Sequence, residues 1–168
     1  MIQGEKVIIR GLKKEDKELI YKWVNQKDIR DLMGTVYPVS ECEHDNWFEK
    51  MCLDTDPKVF SIEWEGRCVG TIGLKNIDRI NSVAEIYVRI GDPETRNQGL
   101  GTDAVKTFTD YCFNHLNFHK IGLTVYASNA GAIKAYEKAG FEKEGLLREH
   151  HYHDGEYEDV VVMGKIRA

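Results

Sequence analysis

A mixed α/β domain, with a central sheet of about six to seven strands flanked by about four helices, is the fold class predicted for this chain. Three observations predict it. Seven β-rich runs alternate with helical-period stretches along the 168 residues, and two of the strand pairs meet at tight-turn dipeptides. A strand, glycine loop, helix and strand follow one another in the second half, the signature of a parallel crossover. No repeat, low-complexity tract or linker divides the chain, so residues 1–168 are expected to form one domain.

Taken in order, the β-branched run at residues 6–10 predicts a first strand ended by Gly11, and Leu19, Ile20, Trp23 and Val24 then share one helical face. After the break at Pro38, Ser40 followed by Glu43 reads as a capping box for a helix carrying Trp47, Phe48 and Met51. Residues 59–65 and 67–74 form a hairpin joined at Glu65-Gly66, and residues 84–90 supply a further strand. Ala104, Val105, Phe108, Cys112 and Leu116 recur at helical spacing, and residues 121–126 make the next strand. Asn129 opens a helix with Ile133 and Tyr136 that stops at Gly140. Residues 144–152 and 156–166 close the chain as a hairpin turning at Asp154-Gly155.

Composition excludes several classes. With 42% hydrophobic and 30% charged residues the chain is neither disordered nor fibrous. No apolar stretch approaches the ~20 residues of a membrane span, and the first residues lack a signal-peptide pattern, so a cytoplasmic location without membrane association is expected. Cys42, Cys52, Cys68 and Cys112 form no Cys-x-x-Cys pair, so no zinc or redox site is expected. A formal charge of −5 argues against a nucleic-acid partner and suits a cationic acceptor.

The most informative segment is Arg96-Asn97-Gln98-Gly99-Leu100-Gly101-Thr102, between a strand and a helix. Two glycines let the backbone approach an anion, and the first helical amides have no intrahelical acceptor, so the segment reads as a pyrophosphate cradle. A P-loop would need a lysine after the second glycine, where Thr102 stands, and a dinucleotide fold would need a third glycine. Neither is met.

The Arg-x-x-Gly-x-Gly arrangement resembles the GNAT superfamily of N-acetyltransferases. The resemblance runs from Ala84-Glu85-Ile86-Tyr87-Val88 through Ile90-Gly91-Asp92-Pro93-Glu94, the glycine loop and Leu116-Asn117-Phe118-His119-Lys120-Ile121. It continues in the segment from Asn129 through Tyr136 to Phe141 and ends in Glu144-Gly145-Leu146-Leu147-Arg148, covering roughly half the chain. The wording is most similar to the RimJ and RimL branch, whose members also acetylate polyamines, amino acids and amino sugars.

The resemblance implies acetyl-CoA as co-substrate, no metal, and direct transfer of the acetyl group to a primary amine in a ternary complex. The acceptor it implies is a protein N-terminus, a polyamine or another small amine. Trp23-Val24-Asn25-Gln26-Lys27-Asp28-Ile29-Arg30 resembles the amino-sugar enzymes and keeps a nucleotide-linked amino sugar as an alternative, beside a non-catalytic acyl-CoA sensor or transfer of another acyl group. By position, Arg89, Ile90 and Gly91 would offer backbone groups to the pantetheine arm and thioester. Arg96, Asn97, Gln98, Gly99, Leu100, Gly101 and Thr102 would hold the pyrophosphate, and Asn129 would both cap its helix and reach the coenzyme.

Tyr136 occupies the position whose hydroxyl faces the coenzyme sulfur, so it is the expected general acid, and it also counts among the coenzyme contacts. The glutamate that ribosomal-protein alanine acetyltransferases carry after the glycine-loop helix is matched here by Thr124, which cannot accept a proton. Glu85 is therefore the expected base, directly or through water. His150, His151 and His153 are expected to flank the substrate cleft rather than bind metal, since neighbouring strand residues face opposite ways. Dimerisation through an exposed strand or hairpin is a further expectation of the resemblance.

Overall fold

The computed structural model describes residues 1–56 and 58–168. Eight strands build one sheet: β1 (Ile2–Gln3), β2 (Ile8–Arg10), β3 (Val59–Trp64), β4 (Arg67–Asp78), β5 (Val83–Ile90), β6 (Lys120–Tyr126), β7 (Glu142–His153) and β8 (Glu156–Ile166), in the order β1-β2-β3-β4-β5-β6-β8-β7. The helices among the described residues are α1 (Asp16–Val24), α2 (Lys27–Met33), α3 (Glu41–Leu53), α4 (Leu100–Asn114) and α5 (Ala130–Lys138), with a 3-10 turn at Pro93–Thr95.

The hairpins form where the turn residues demand. Glu65 and Gly66 both have positive φ (50° and 78°), as do Asp154 and Gly155 (48° and 85°). That is the backbone of a type I′ turn, whose twist matches the flanking strands. Ser40 caps α3 as its sequence predicts, its Oγ accepting from the Glu43 N–H at 3.1 Å.

Two features differ from the expected arrangement. The sheet gains β1, a two-residue strand paired through Ile2 and Ile9. A third helix, α2, precedes β3, because Asn25 ends α1: its side chain donates to the Tyr21 and Val39 carbonyls and accepts from the Val39 N–H. Gly34, with φ of 68°, then terminates α2 in the left-handed conformation. These side-chain closures leave no periodic signal.

The faces of the sheet divide the work. On one face Ile72, Leu74, Ala84 and Ile86 pack with Ala104, Val105, Phe108 and Cys112 of α4 and with Ile121, Leu123 and Met163 in a continuous core. Phe108 is fully buried, 5.2 Å from the Phe60 ring, and its truncation to Ala should cost about 3–5 kcal/mol. On the opposite face, Thr71, Gly73 and Lys75 of β4 lie directly across from Arg89, Tyr87 and Glu85 of β5. Here Ile20 and Trp23 of α1 and Phe48 of α3 form a smaller cluster with Cys68 of β4. A polar strip thus runs under a partly apolar roof.

Strands β5 and β6 are the parallel pair, and they stay together only briefly. Val83, Ala84 and Glu85 pair with Lys120, Ile121 and Gly122, after which no pairing continues although both strands do. Their far ends splay into a V.

Candidate active site

Opening the V leaves the β6-facing backbone edge of residues 86–90 without a strand partner. Such an edge offers N–H and C=O groups to an extended ligand, as in strand addition. The resulting cleft, of about 460 Å³, is lined by Val88, Arg89 and Ile90 of β5, Thr124, Val125 and Tyr126 of β6, the loop before α4, and Asn129, Ala132 and Tyr136 of α5.

At the wide end of the cleft the loop forms a nest of amides. Asn97 and Gly99 have φ of 63° and 76°, and Gly99 is the left-handed N-cap of α4. Alternating left-handed residues turn successive N–H groups to one side, and the first amides of α4 have no acceptor within the helix. Lys6 braces this turn through an Nζ hydrogen bond of 2.8 Å to the Gln98 carbonyl. Arg96 donates through Nε to the Ile90 carbonyl at 3.3 Å and through Nη1 to Asp28 of α2. Its Nη2 is buried without a partner, a spare donor beside an anion-binding cradle. These groups fit a pyrophosphate.

Asp103, one turn into α4, has a role that no sequence motif marks. Its carboxylate accepts from the N–H groups of Glu5, Lys6 and Val7 at 3.2, 2.8 and 3.0 Å, tying the amino-terminal segment to the cradle helix. An aspartate early in a helix is a recognisable dipole partner, but its distant backbone partners are not.

Asn129 caps α5 by accepting from the Ala132 N–H at 3.2 Å, and it lines the cleft. Tyr136 lies one helical turn and more beyond it, edge-on to Phe141 at 6.2 Å. Burial raises the Tyr136 phenol above its ordinary value, and nearby Arg89 opposes the shift. The hydroxyl therefore remains protonated at neutral pH.

A second cavity, of about 370 Å³, adjoins the first. Ile20, Trp23 and Val24 of α1, Ile29 and Met33 of α2, and His44 and Trp47 of α3 roof it, over Thr71, Tyr87 and Arg89. Ile29, Met33, Lys75, Tyr87 and Arg89 border both spaces, so the two meet over the polar strip. Gly73 and Gly91 make that room: a Cβ at Gly73 would reach within 2.6 Å of the Tyr87 ring, and one at Gly91 within 2.1 Å of the Trp23 ring. The Gly91 N–H is already engaged with the Val69 carbonyl at 2.9 Å.

Glu85 shares the face of Tyr87 and Arg89 but sits at the apex of the V, opposite Gly122, with Lys75 Nζ 3.8 Å away. It is not among the residues that line the cleft. His151 stacks on Tyr126 at 3.8 Å and holds Glu158 through Nδ1 at 3.2 Å, so the closing hairpin buttresses the cleft wall. His153 approaches Asp31 of α2 at 3.7 Å. Among the described residues no three His, Cys, Asp or Glu side chains converge on a metal-sized site.

Residues 6–142 match the model of the acetyltransferase (GNAT) domain. The chain belongs to the GNAT acetyltransferase family. It is an acetyl-CoA-dependent N-acetyltransferase, and the splayed strands and amide nest are the parts of this GNAT domain that fit the coenzyme. The sheet of eight strands slightly exceeds the expected six to seven. Spermidine N(1)-acetyltransferase of Escherichia coli K12 is 29% identical over 97% of this chain and 87% of its own. The L-amino acid N-acetyltransferase AaaT of the same organism is 28% identical over 96% of this chain and 98% of its own. The spermidine N-acetyltransferase of Vibrio cholerae, solved with CoA and spermine, superposes with a TM-score of 0.87 at 29% identity, covering 96% of this chain and 95% of that one. These relatives are not specifically of the RimJ and RimL branch.

Proposed function

We propose that this GNAT enzyme acetylates a small primary amine held in the cavity under α1, α2 and α3. One observation carries the reading: the coenzyme cleft and a separate apolar cavity meet at Lys75, Tyr87 and Arg89. An amine bound in one space can then reach a thioester bound in the other without crossing solvent. The small volume of the cavity favours a small molecule over a protein N-terminus.

In the proposed step the amine nitrogen bonds to the thioester carbonyl carbon, the carbon–sulfur bond breaks, and the departing thiolate takes the Tyr136 proton. The edge of Arg89, Ile90 and Gly91 aligns the pantetheine arm, Arg96 to Thr102 hold the pyrophosphate, and Asn129 adds its side-chain amide. The proton lost by the amine passes through water toward Glu85, whose shared face with Tyr87 and Arg89 supports the assignment. Tyr136 facing the cleft supports turnover over a purely sensing role.

A polyamine acceptor is the second reading, favoured by the spermidine acetyltransferases among the relatives. Within the family, the wording of the segments from Ala84 to Arg148 supports the RimJ and RimL branch. Residues 1–168 are proposed as one domain, since β7 and β8 complete the same sheet beyond the matched residue 142. Four free thiols suit a reducing compartment such as the cytoplasm. Among the described residues no helix is long and apolar enough to cross a membrane.

The test is release of CoA from acetyl-CoA with a panel of small amines, peptides with free N-termini and amino-sugar nucleotides. Turnover confined to peptides or nucleotide sugars would contradict the small-amine reading.

A further inference from the structure

The cavity floor carries a charge that the reaction does not explain. Arg89 is half-buried at the junction of the two spaces, its guanidinium 4.7 Å from the Tyr87 ring centroid. Among the described residues it has neither an ion-pair partner nor a side-chain hydrogen bond, whereas Arg10, the other arginine of the sheet interior, is held by Asp16 and Glu63. A half-buried guanidinium without an anion is costly, and five donors in a planar fork match a carboxylate.

The rest of the lining points the same way. Lys75 adds a second positive charge, partly countered by Glu85. His44 donates through Nε2 to the Lys17 carbonyl at 2.8 Å and brings no negative charge. Glu43 is the one acidic residue lining the cavity among those described, and it is exposed at the rim. A polycation would enter a space whose floor already holds two cations, one countered by Glu85 and the other, Arg89, by no carboxylate among the described residues. The remaining walls, Trp23, Ile29, Val39 and Trp47, are apolar.

We infer that the acceptor is a hydrophobic α-amino acid, whose carboxylate is bound by Arg89 at the junction and whose side chain fills the apolar cavity. In an α-amino acid the amine nitrogen lies roughly 2.5 Å from the carboxylate carbon, as standard bond lengths require. A carboxylate on Arg89 therefore holds the amine at the meeting point of cavity and cleft. The inference rests on the proposed transfer to a small amine and narrows it. Arg89 is in this role a specificity-determining residue.

The experiment compares kcat/KM for L-methionine and L-phenylalanine with their carboxamides, phenethylamine, spermidine and an amino-sugar phosphate, using the full chain and acetyl-CoA. The free amino acids should exceed their carboxamides by about 100-fold, the worth of a charge-assisted bidentate contact. In Arg89→Gln that ratio should fall to near unity, and Arg89→Lys should restore part of it, with far-UV circular dichroism and thermal melting as the check on folding. Spermidine or phenethylamine turning over as well as the amino acids overturns the inference and leaves the small-amine reading standing. Turnover of the amino-sugar phosphate alone overturns it too and assigns Arg89 to a phosphate. No CoA release with any acceptor overturns the underlying reading as well.

Discussion

Asp28 of α2 is hydrogen-bonded to the guanidinium of Arg96, joining a helix that roofs the second cavity to the loop proposed to cradle the coenzyme. Two walls of the site, separated by 68 residues in sequence, thereby share one support. Arg96 in turn reaches the Ile90 carbonyl at the end of β5, so one guanidinium ties loop, strand and helix.

Breaking that support should weaken both ligands. Asp28→Asn is expected to raise KM for acetyl-CoA and for the acceptor together, each by about 5- to 20-fold, as expected for loss of one charge-assisted contact. The Arg96 hydrogen bond holds the Asp28 carboxyl below its ordinary value. The clamp is consequently intact above the usual carboxylate range and is lost as pH falls through the depressed value. A KM for acetyl-CoA that rises only at acid pH in the parent, and is high throughout in the variant, is the expected profile. An unchanged acceptor KM would contradict the linkage.

The two glycines of the cradle should fail differently. Gly99 has φ of 76°, and a Cβ there would approach Lys6 Nζ at 3.0 Å, so Gly99→Ala should lower stability by about 1–2 kcal/mol in urea unfolding. A Cβ at Gly101 meets only Ile90, at 3.7 Å, and strains nothing. Gly101→Val should therefore keep the melting temperature within a few degrees while raising the Kd for CoA by about tenfold or more, because the side chain occupies the approach of the phosphates.

Tyr136→Phe is expected to lower kcat about 100- to 1000-fold with little change in KM for acetyl-CoA. Burial, only partly opposed by Arg89, raises the phenol, so the parent should keep its activity up to alkaline pH and lose it above the ordinary tyrosine value. The variant should show no such alkaline limb. Glu85→Gln should reduce kcat by about tenfold or more at neutral pH, with the loss shrinking as pH rises and the free amine becomes abundant. A pH-independent loss would assign Glu85 to structure rather than proton transfer.

Asp16 carries the heaviest structural load outside the site. Burial opposes its charge, and the Arg10 hydrogen bonds at 2.8 and 3.1 Å, with the Lys13 N–H and Ser61 hydroxyl, outweigh burial and hold its carboxyl below the ordinary value. Its contribution is present above the unfolded carboxylate value near ~4 and is lost as pH falls through the folded one. Asp16→Ala should cost about 2–4 kcal/mol in urea unfolding, since it takes one of the two carboxylates from buried Arg10 and leaves the Ser61 hydroxyl without its partner. The deficit should narrow toward acid pH.

Much of this molecule is legible in its sequence where the signal is local. Glu65-Gly66 and Asp154-Gly155 announce their turns, Ser40 and Asn129 their helix caps, and Gly99 the turn that opens α4, because each acts within four residues of itself. Asp103 and Arg96 act on groups 68 to 98 residues away, and Asn25 on Val39 14 residues on, and no periodicity records that. The helix α2 was hidden for the same reason, although Gly34 after Leu32 and Met33 is a readable stop. Glu85 shows the limit of strand logic: its face follows from alternation, but its position at the apex of the V depends on where β5 and β6 part.

One assay separates acetyl transfer from mere coenzyme binding: CoA thiol released from acetyl-CoA across the amine panel, with the acetylated product weighed by mass spectrometry, for the parent and Tyr136→Phe side by side. The geometry of the cleft and cavity predicts one CoA released per N-acetylated small amine, and a rate at least about 100-fold lower in the variant. Tight CoA binding with no thiol released from any amine, or equal rates in the two proteins, would contradict it.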